Sequence, residues 1–138
     1  KDIIPMHVSA QEDSSSILRI GENQTKIFPG TELSRLLDVF IAPLNYFVKI
    51  ADIVSPAIVK IDVQGYELEV LKGCYGLLEK FDYIIVECSF IELYKGQPLA
   101  DEVIQYLMNH SFKLVGVYNT LYDKNGVTVQ ADFIFNNF

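Results

Sequence analysis

Asp62 and Glu87 hold equivalent places in this chain. Asp62 closes the run Ile58-Val59-Lys60-Ile61, and Glu87 closes the run Tyr83-Ile84-Ile85-Val86. Both runs read as buried strands, and an acid late in such a strand is costly unless it reaches solvent, a partner or a ligand. Open α/β sheets bind ligands just beyond the carboxyl ends of their strands. If the two strands are neighbours, about 4.8 Å apart, both carboxylates can face one pocket. Close carboxylates resist joint ionisation unless a cation lies between them or one stays protonated. Such a pair suits a general base, a cation site, or a clamp for an amine or hydroxyl. The structural alternative is an acid at the helix start or paired with Lys60, and a solvated pair on a strand edge.

Four further residues extend the candidate site. Glu67 falls in the first turn after Gly65, where an acid also complements a helix dipole. Tyr94 lies in the segment Phe90–Pro98, which follows a strand end and could close over the crevice as a lid. Gln130 and Asp132 interrupt an otherwise apolar terminal strand. Asp132 could point into the site or face solvent. Glu67, Tyr94, Gln130 and Asp132 are therefore expected to bind substrate or form a lid.

Composition narrows the chemistry. The chain has 138 residues, half of them hydrophobic, and a formal charge of −7, enough for one core but wrong for neutralising a nucleic-acid backbone. No apolar run approaches the ~20 residues of a membrane-spanning helix. Cys74 and Cys88 fall in predicted buried elements and read as reduced core thiols, which suits a cytoplasmic protein. The two histidines, His7 and His110, lie far apart, and CxxC and HExxH spacings are absent, so no metal is expected. No Gly-rich phosphate loop and no GxSxG elbow occur. The chain begins at Lys1 rather than Met, which leaves room for an upstream segment.

The elements that must position these residues divide the chain in two. Residues 1–56 form an irregular lead-in. It has strand candidates near Met6–Val8 and Ile17–Ile20, and a possible strand at Tyr46–Ile50 before a helical turn. Leu33, Leu36, Leu37, Phe40 and Ile41 follow helical spacing, which predicts a helix over 31–41 with Thr31 as N-cap and Pro43 as stop. Residues 57–138 are regular: a strand at Ala57–Val63, a helix at Tyr66–Lys80, a strand at Tyr83–Ser89 and a helix at Leu99–Ser111. Leu68, Leu71, Tyr75 and Leu78 share one face of the first helix, and Val103, Ile104, Leu107 and Met108 face inward on the second. Gly73 and Gly76 weaken the first helix or end it early. Continuously apolar strands imply cover on both faces. Strands at Phe112–Tyr118 and Val127–Phe135 follow with no helix between them, and Asn125-Gly126 marks the turn of an antiparallel pair.

The segment Val59-Lys-Ile-Asp-Val-Gln-Gly-Tyr-Glu-Leu-Glu-Val-Leu-Lys-Gly73 resembles a signature of the FkbM-type S-adenosylmethionine-dependent methyltransferases. The likeness continues through Ile85-Val86-Glu87, Leu93–Pro98 and Ser111–Leu114, and ends at Gln130–Phe135, covering residues 57–136. It implies a partial Rossmann-like class I methyltransferase fold, α/β with a mostly parallel sheet ending in an antiparallel hairpin strand. It also implies S-adenosylmethionine as cofactor and O-methylation of a sugar or secondary-metabolite hydroxyl. Asp62 and Glu87 would then be catalytic, at the ends of the fourth and fifth strands. The family's acidic, Gly-rich turn for the cofactor is not in this sequence, and residues 21–50 match the family pattern poorly. Residues 57–138 therefore look like the carboxyl-terminal half of such a domain, inactive on its own and with cofactor-binding residues unidentified.

Two other readings stand beside this one. Half a sheet exposes an edge and apolar area, which fits a non-catalytic association module or a homo-oligomer. A hydrolase built on Asp62 and Glu87 would need Mg²⁺ or Ca²⁺, the ions that oxygen-only ligands favour.

Overall fold

The apolar runs around the two acids do form neighbouring strands. In the computed structural model, which describes residues 1–138, β3 (Ile58–Ile61) pairs in parallel with β4 (Tyr83–Ser89), with Ile61 opposite Val86. The crossover between them carries α2 (Glu67–Gly73) and a 3₁₀ turn at Leu78–Lys80. After α3 (Ala100–Asn109), β5 (Lys113–Tyr122) and β6 (Thr128–Asn136) form the expected hairpin. Its turn closes where the Asp123 N–H donates to the Val127 carbonyl and Gly126 takes φ +80°.

The sheet order is β3-β4-β6-β5, because β6 inserts between β4 and β5 and runs antiparallel to both. The sheet is therefore mixed. Helical crossovers join β3 to β4 and β4 to β5, so these three strands run the same way and β6 alone is reversed, as expected for a mostly parallel sheet ending in an antiparallel hairpin strand.

The sheet has one dry face. Ile84, Val86 and Cys88 of β4 and Ala131, Phe133 and Phe135 of β6 pack with Leu71 of α2 and Val103 and Leu107 of α3 in a 15-residue core. The alternate residues Tyr83, Ile85 and Glu87, and Gln130, Asp132 and Ile134, are only half-buried. Cover on both faces, read from the apolar runs, is not found. Alternation hidden within those runs places Lys60, Glu87, Gln130 and Asp132 together on the face away from the helices.

The first helix is shorter than its pattern implied. It ends at Gly73, and Gly76 takes φ +76°. Leu71 and Leu78 are buried as expected, whereas Tyr75 and, on α3, Met108 are exposed.

The lead-in contains a separate two-stranded sheet. β1 (Asp2–Ser9) pairs antiparallel with β2 (Leu33–Ile41), from Asp2 opposite Ile41 to Val8 opposite Arg35. The helix expected at 31–41 is thus a strand. Its apolar residues come as adjacent pairs, Leu36-Leu37 and Phe40-Ile41, which match helical spacing by coincidence but point to opposite sides of a strand. Pairing with β1 along the whole segment decides between them. Thr31 caps nothing downstream; its hydroxyl donates to the Phe28 carbonyl at 2.7 Å, just past α1 (Glu22–Ile27), a helix the sequence pattern did not reveal. Ile17–Ile20 contributes only single bridges at its borders, Ser16 to His7 and Ile20 to Tyr94. Residues 44–52 form two 3₁₀ turns instead of a strand.

Candidate functional site

The site is built by a turn that only a special backbone allows. β3 ends at Ile61, and two consecutive left-handed residues, Gln64 (φ +52°) and Gly65 (φ +94°), reverse the chain into α2. Gly65 is required here, because a Cβ would lie 3.0 Å from Gln97 Cβ and 3.2 Å from Tyr94 Cβ. Glu67 is 3% exposed, and its Oε1 accepts the Gly65 N–H at 2.9 Å. Burial raises its pKa although backbone hydrogen bonds oppose the shift. Glu67 thus braces the turn and does not face open space.

The parallel register brings Asp62 beside Glu87, and the antiparallel register sets Asp132 opposite Glu87. Asp62 forms an ion pair with Lys60 at 2.8 Å. That hydrogen bond and charge raise the Lys60 pKa. Glu87 is half-buried and held by two amides: Gln130 Nε2 donates to Oε1 at 2.9 Å, and Gln64 Nε2 lies 3.4 Å from Oε2. Burial first, then the charges of Asp62 and Asp132, push the Glu87 pKa up to about 7. A carboxyl group with that proton affinity exchanges protons near neutral pH, as a general acid or base must. Asp132 accepts the Asn119 amide at 2.6 Å and so contributes charge across the row.

Asp62, Glu87, Gln130 and Asp132 come together, while Tyr94 and Glu67 lie behind them. Tyr94 is buried, with its hydroxyl 2.9 Å from the Ser14 carbonyl and 3.2 Å from Gln64 Oε1. The 90–98 segment is pinned as a fixed wall. Gln97 Oε1 accepts the Leu93 and Tyr94 N–H groups at 2.6 Å each, Lys95 N–H donates to Arg19, and Gly21 N–H donates to Leu93. Sequence reasoning passed over Gln64 as a site residue. Its signal was its place directly before a glycine, at a turn between two acids.

Beside β3 runs an open groove of about 930 Å³, walled by Phe40, Pro43 and Phe47 on one side and by Val59, Lys60 and Asp62 on the other. β3 pairs on one side only, so its other edge is free along this groove. The two acids lining the groove, Asp62 and Glu69, are already paired with Lys60 and Lys72. The groove therefore lacks a free acid for ribose hydroxyls or an ammonium group, and these residues alone do not fit S-adenosylmethionine. No cluster of three or more His, Cys, Asp or Glu residues is disposed to hold a metal ion. No helix is long and apolar enough to cross a membrane.

Comparison of the sequence with known proteins places this α/β chain in a family. The Methyltransferase FkbM domain matches residues 5–114, and the chain belongs to that family. The match takes in residues 21–50, which the motif pattern alone had set aside. The chain is also similar to hexuronic acid methyltransferase AglP of Haloferax volcanii, 45% identical over 40 residues. That stretch is 29% of this chain and spans only 17% of the relative's length. No solved structure matches the chain.

Proposed function

We propose that the chain is the carboxyl-terminal part of an S-adenosylmethionine-dependent O-methyltransferase with a Rossmann-like class I fold, in which Glu87 takes the proton from the acceptor hydroxyl. The carrying observation is Glu87 itself, raised to about 7 and steadied by Gln130 and Gln64. In such enzymes the cofactor supplies an activated methyl group. This chain's residues would orient the hydroxyl of a sugar or secondary metabolite between Asp62 and Glu87 and receive its proton. The free β3 edge and the groove beside it support a cofactor-binding half that pairs along that edge. The two buried free cysteines, Cys74 and Cys88, favour a reducing, cytoplasmic setting.

The test is methyl transfer by the full-length gene product to a panel of sugars and small alcohols. Glu87→Gln is expected to lower kcat about 10²–10⁴-fold, the usual worth of a general base. Wild-type rate should fall as pH drops through about 7. An unimpaired Glu87→Gln enzyme would refute the assignment. The 138-residue chain alone should show no micromolar S-adenosylmethionine binding by calorimetry, and such binding would refute the partial-domain reading.

A second reading, an association module forming homo-oligomers through a sheet edge, is favoured by the exposed apolar residues Ile58, Val54 and Phe47 near β3. Light scattering on the purified chain distinguishes them: a defined oligomer that binds no cofactor even in the full-length product supports the module.

A further inference from the structure

Gln64, Ser16 and Tyr94 form one connected path into the site, and the reaction as described gives Ser16 and Tyr94 no part. The Ser16 hydroxyl donates to the Gln64 carbonyl at 2.6 Å. The Tyr94 hydroxyl lies 3.2 Å from Gln64 Oε1. On the far side of the same amide, Gln64 Nε2 donates to Asp62 Oδ1 at 2.9 Å and reaches Glu87 Oε2 at 3.4 Å. Ionised carboxylates only accept hydrogen bonds, so the NH₂ group must face the acids and the oxygen must face Tyr94. The acids thus settle which way the amide points. The backbone is committed too, since φ is +52° at Gln64, a region non-glycine residues seldom enter.

We propose that Gln64 is a positioning residue that links Asp62 and Glu87 through one fixed amide and so sets how readily Glu87 holds a proton. This deepens, and rests on, the reading of Glu87 as proton acceptor. The groups around Glu87 are Asp62 and Lys60 from the β3 end, Gln64 from the turn, Asp132 and Gln130 from β6, Glu67 from α2 and Tyr94 from the 90–98 wall, while Cys88 beside it on β4 lies on the opposite, helix-covered face. Among them, Gln64 shares its donor with both acids. Donation to a carboxylate favours its ionised form. Withdrawing the amide leaves Asp62 and Glu87 repelling each other with no shared donor, so Glu87 binds its proton more tightly.

Carboxyl-carbon NMR titration of the ¹³C-labelled 138-residue chain tests this, with Glu87→Gln identifying the Glu87 signal. Gln64→Asn is the main variant, because Asn tolerates a left-handed backbone while its shorter side chain draws the amide away. Gln64→Leu removes the amide altogether. In either folded variant, checked by its amide spectrum, the Glu87 midpoint should rise by about half a pH unit or more. An unchanged midpoint in folded Gln64→Asn would overturn the proposal and leave Gln64 as a turn former only. The titration does not involve methyl transfer. A Glu87→Gln enzyme with full activity would defeat the proton-acceptor reading without touching this result.

Discussion

Replacing Glu87 by Gln changes its shape little and removes its charge. The folded chain raises this carboxyl from 4.5 to about 7, first by burial and then through Asp62 and Asp132. Because the folded-state pKa lies above the unfolded one, the folded chain binds the proton more tightly. The stability Glu87 contributes is full below pH 4.5 and lost as pH rises through about 7. At about 1.4 kcal/mol per tenfold change in proton affinity, the loss is about 3 kcal/mol. Gln cannot ionise, so the variant escapes it. Urea unfolding followed by circular dichroism, at pH 4 and pH 8.5, gives the stability difference between variant and wild type at each pH. That difference should favour the variant by about 3 kcal/mol more at the higher pH. Taking the change between two pH values cancels the pH-independent cost of disturbing the Gln130 and Gln64 hydrogen bonds. Equal differences at both pH values would refute the electrostatic argument.

Asp62→Asn removes the largest charge acting on Glu87 and should move its NMR titration midpoint below about 7, while Lys60, which owes its raised pKa to Asp62, should lose its proton at lower pH than in the wild type. Gly65→Ala forces a Cβ to within 3.0 Å of Gln97 at φ +94° and should destabilise the chain by about 2–3 kcal/mol, read as a lower urea midpoint with an unchanged slope. Leu107→Ala, at a fully buried position, should cost about 2–5 kcal/mol. Exposed Met108→Ala on the next residue of α3 should stay within about 0.5 kcal/mol in the same assay.

The regular half of the chain was readable because local signals agreed there. Strand β4 was expected at Tyr83–Ser89 and is found at those residues. The terminal hairpin followed from Asn125-Gly126, and the meeting of Asp62 and Glu87 followed from the assumption that their strands were neighbours. The lead-in was misread for the opposite reason. Nothing local distinguishes a helix from a strand at Leu33–Ile41, since the deciding partner, β1, lies more than 20 residues earlier. Glu67 and Tyr94 were expected to bind substrate or form a lid, and they support the turn from behind. Sequence shows that a polar group must be satisfied, but not whether solvent, ligand or a distant carbonyl satisfies it. For Tyr94 one such contact is the Ser14 carbonyl, 80 residues away.

The contacts around Gln64 also bear on how the chain folds. The β5–β6 hairpin closes over a short separation. By contrast, the bonds that fix Gln64 reach across 48 residues to Ser16, 30 to Tyr94 and, beyond it, 80 to Ser14. Closing longer loops costs more chain entropy and comes later. The arrangement around Gln64 is therefore expected to form later than the β5–β6 hairpin and the local helices. A nascent or partly unfolded chain would carry the acids without the amide that relates them. Proton affinity at Glu87 would then serve as an internal indicator that these long-range contacts have formed.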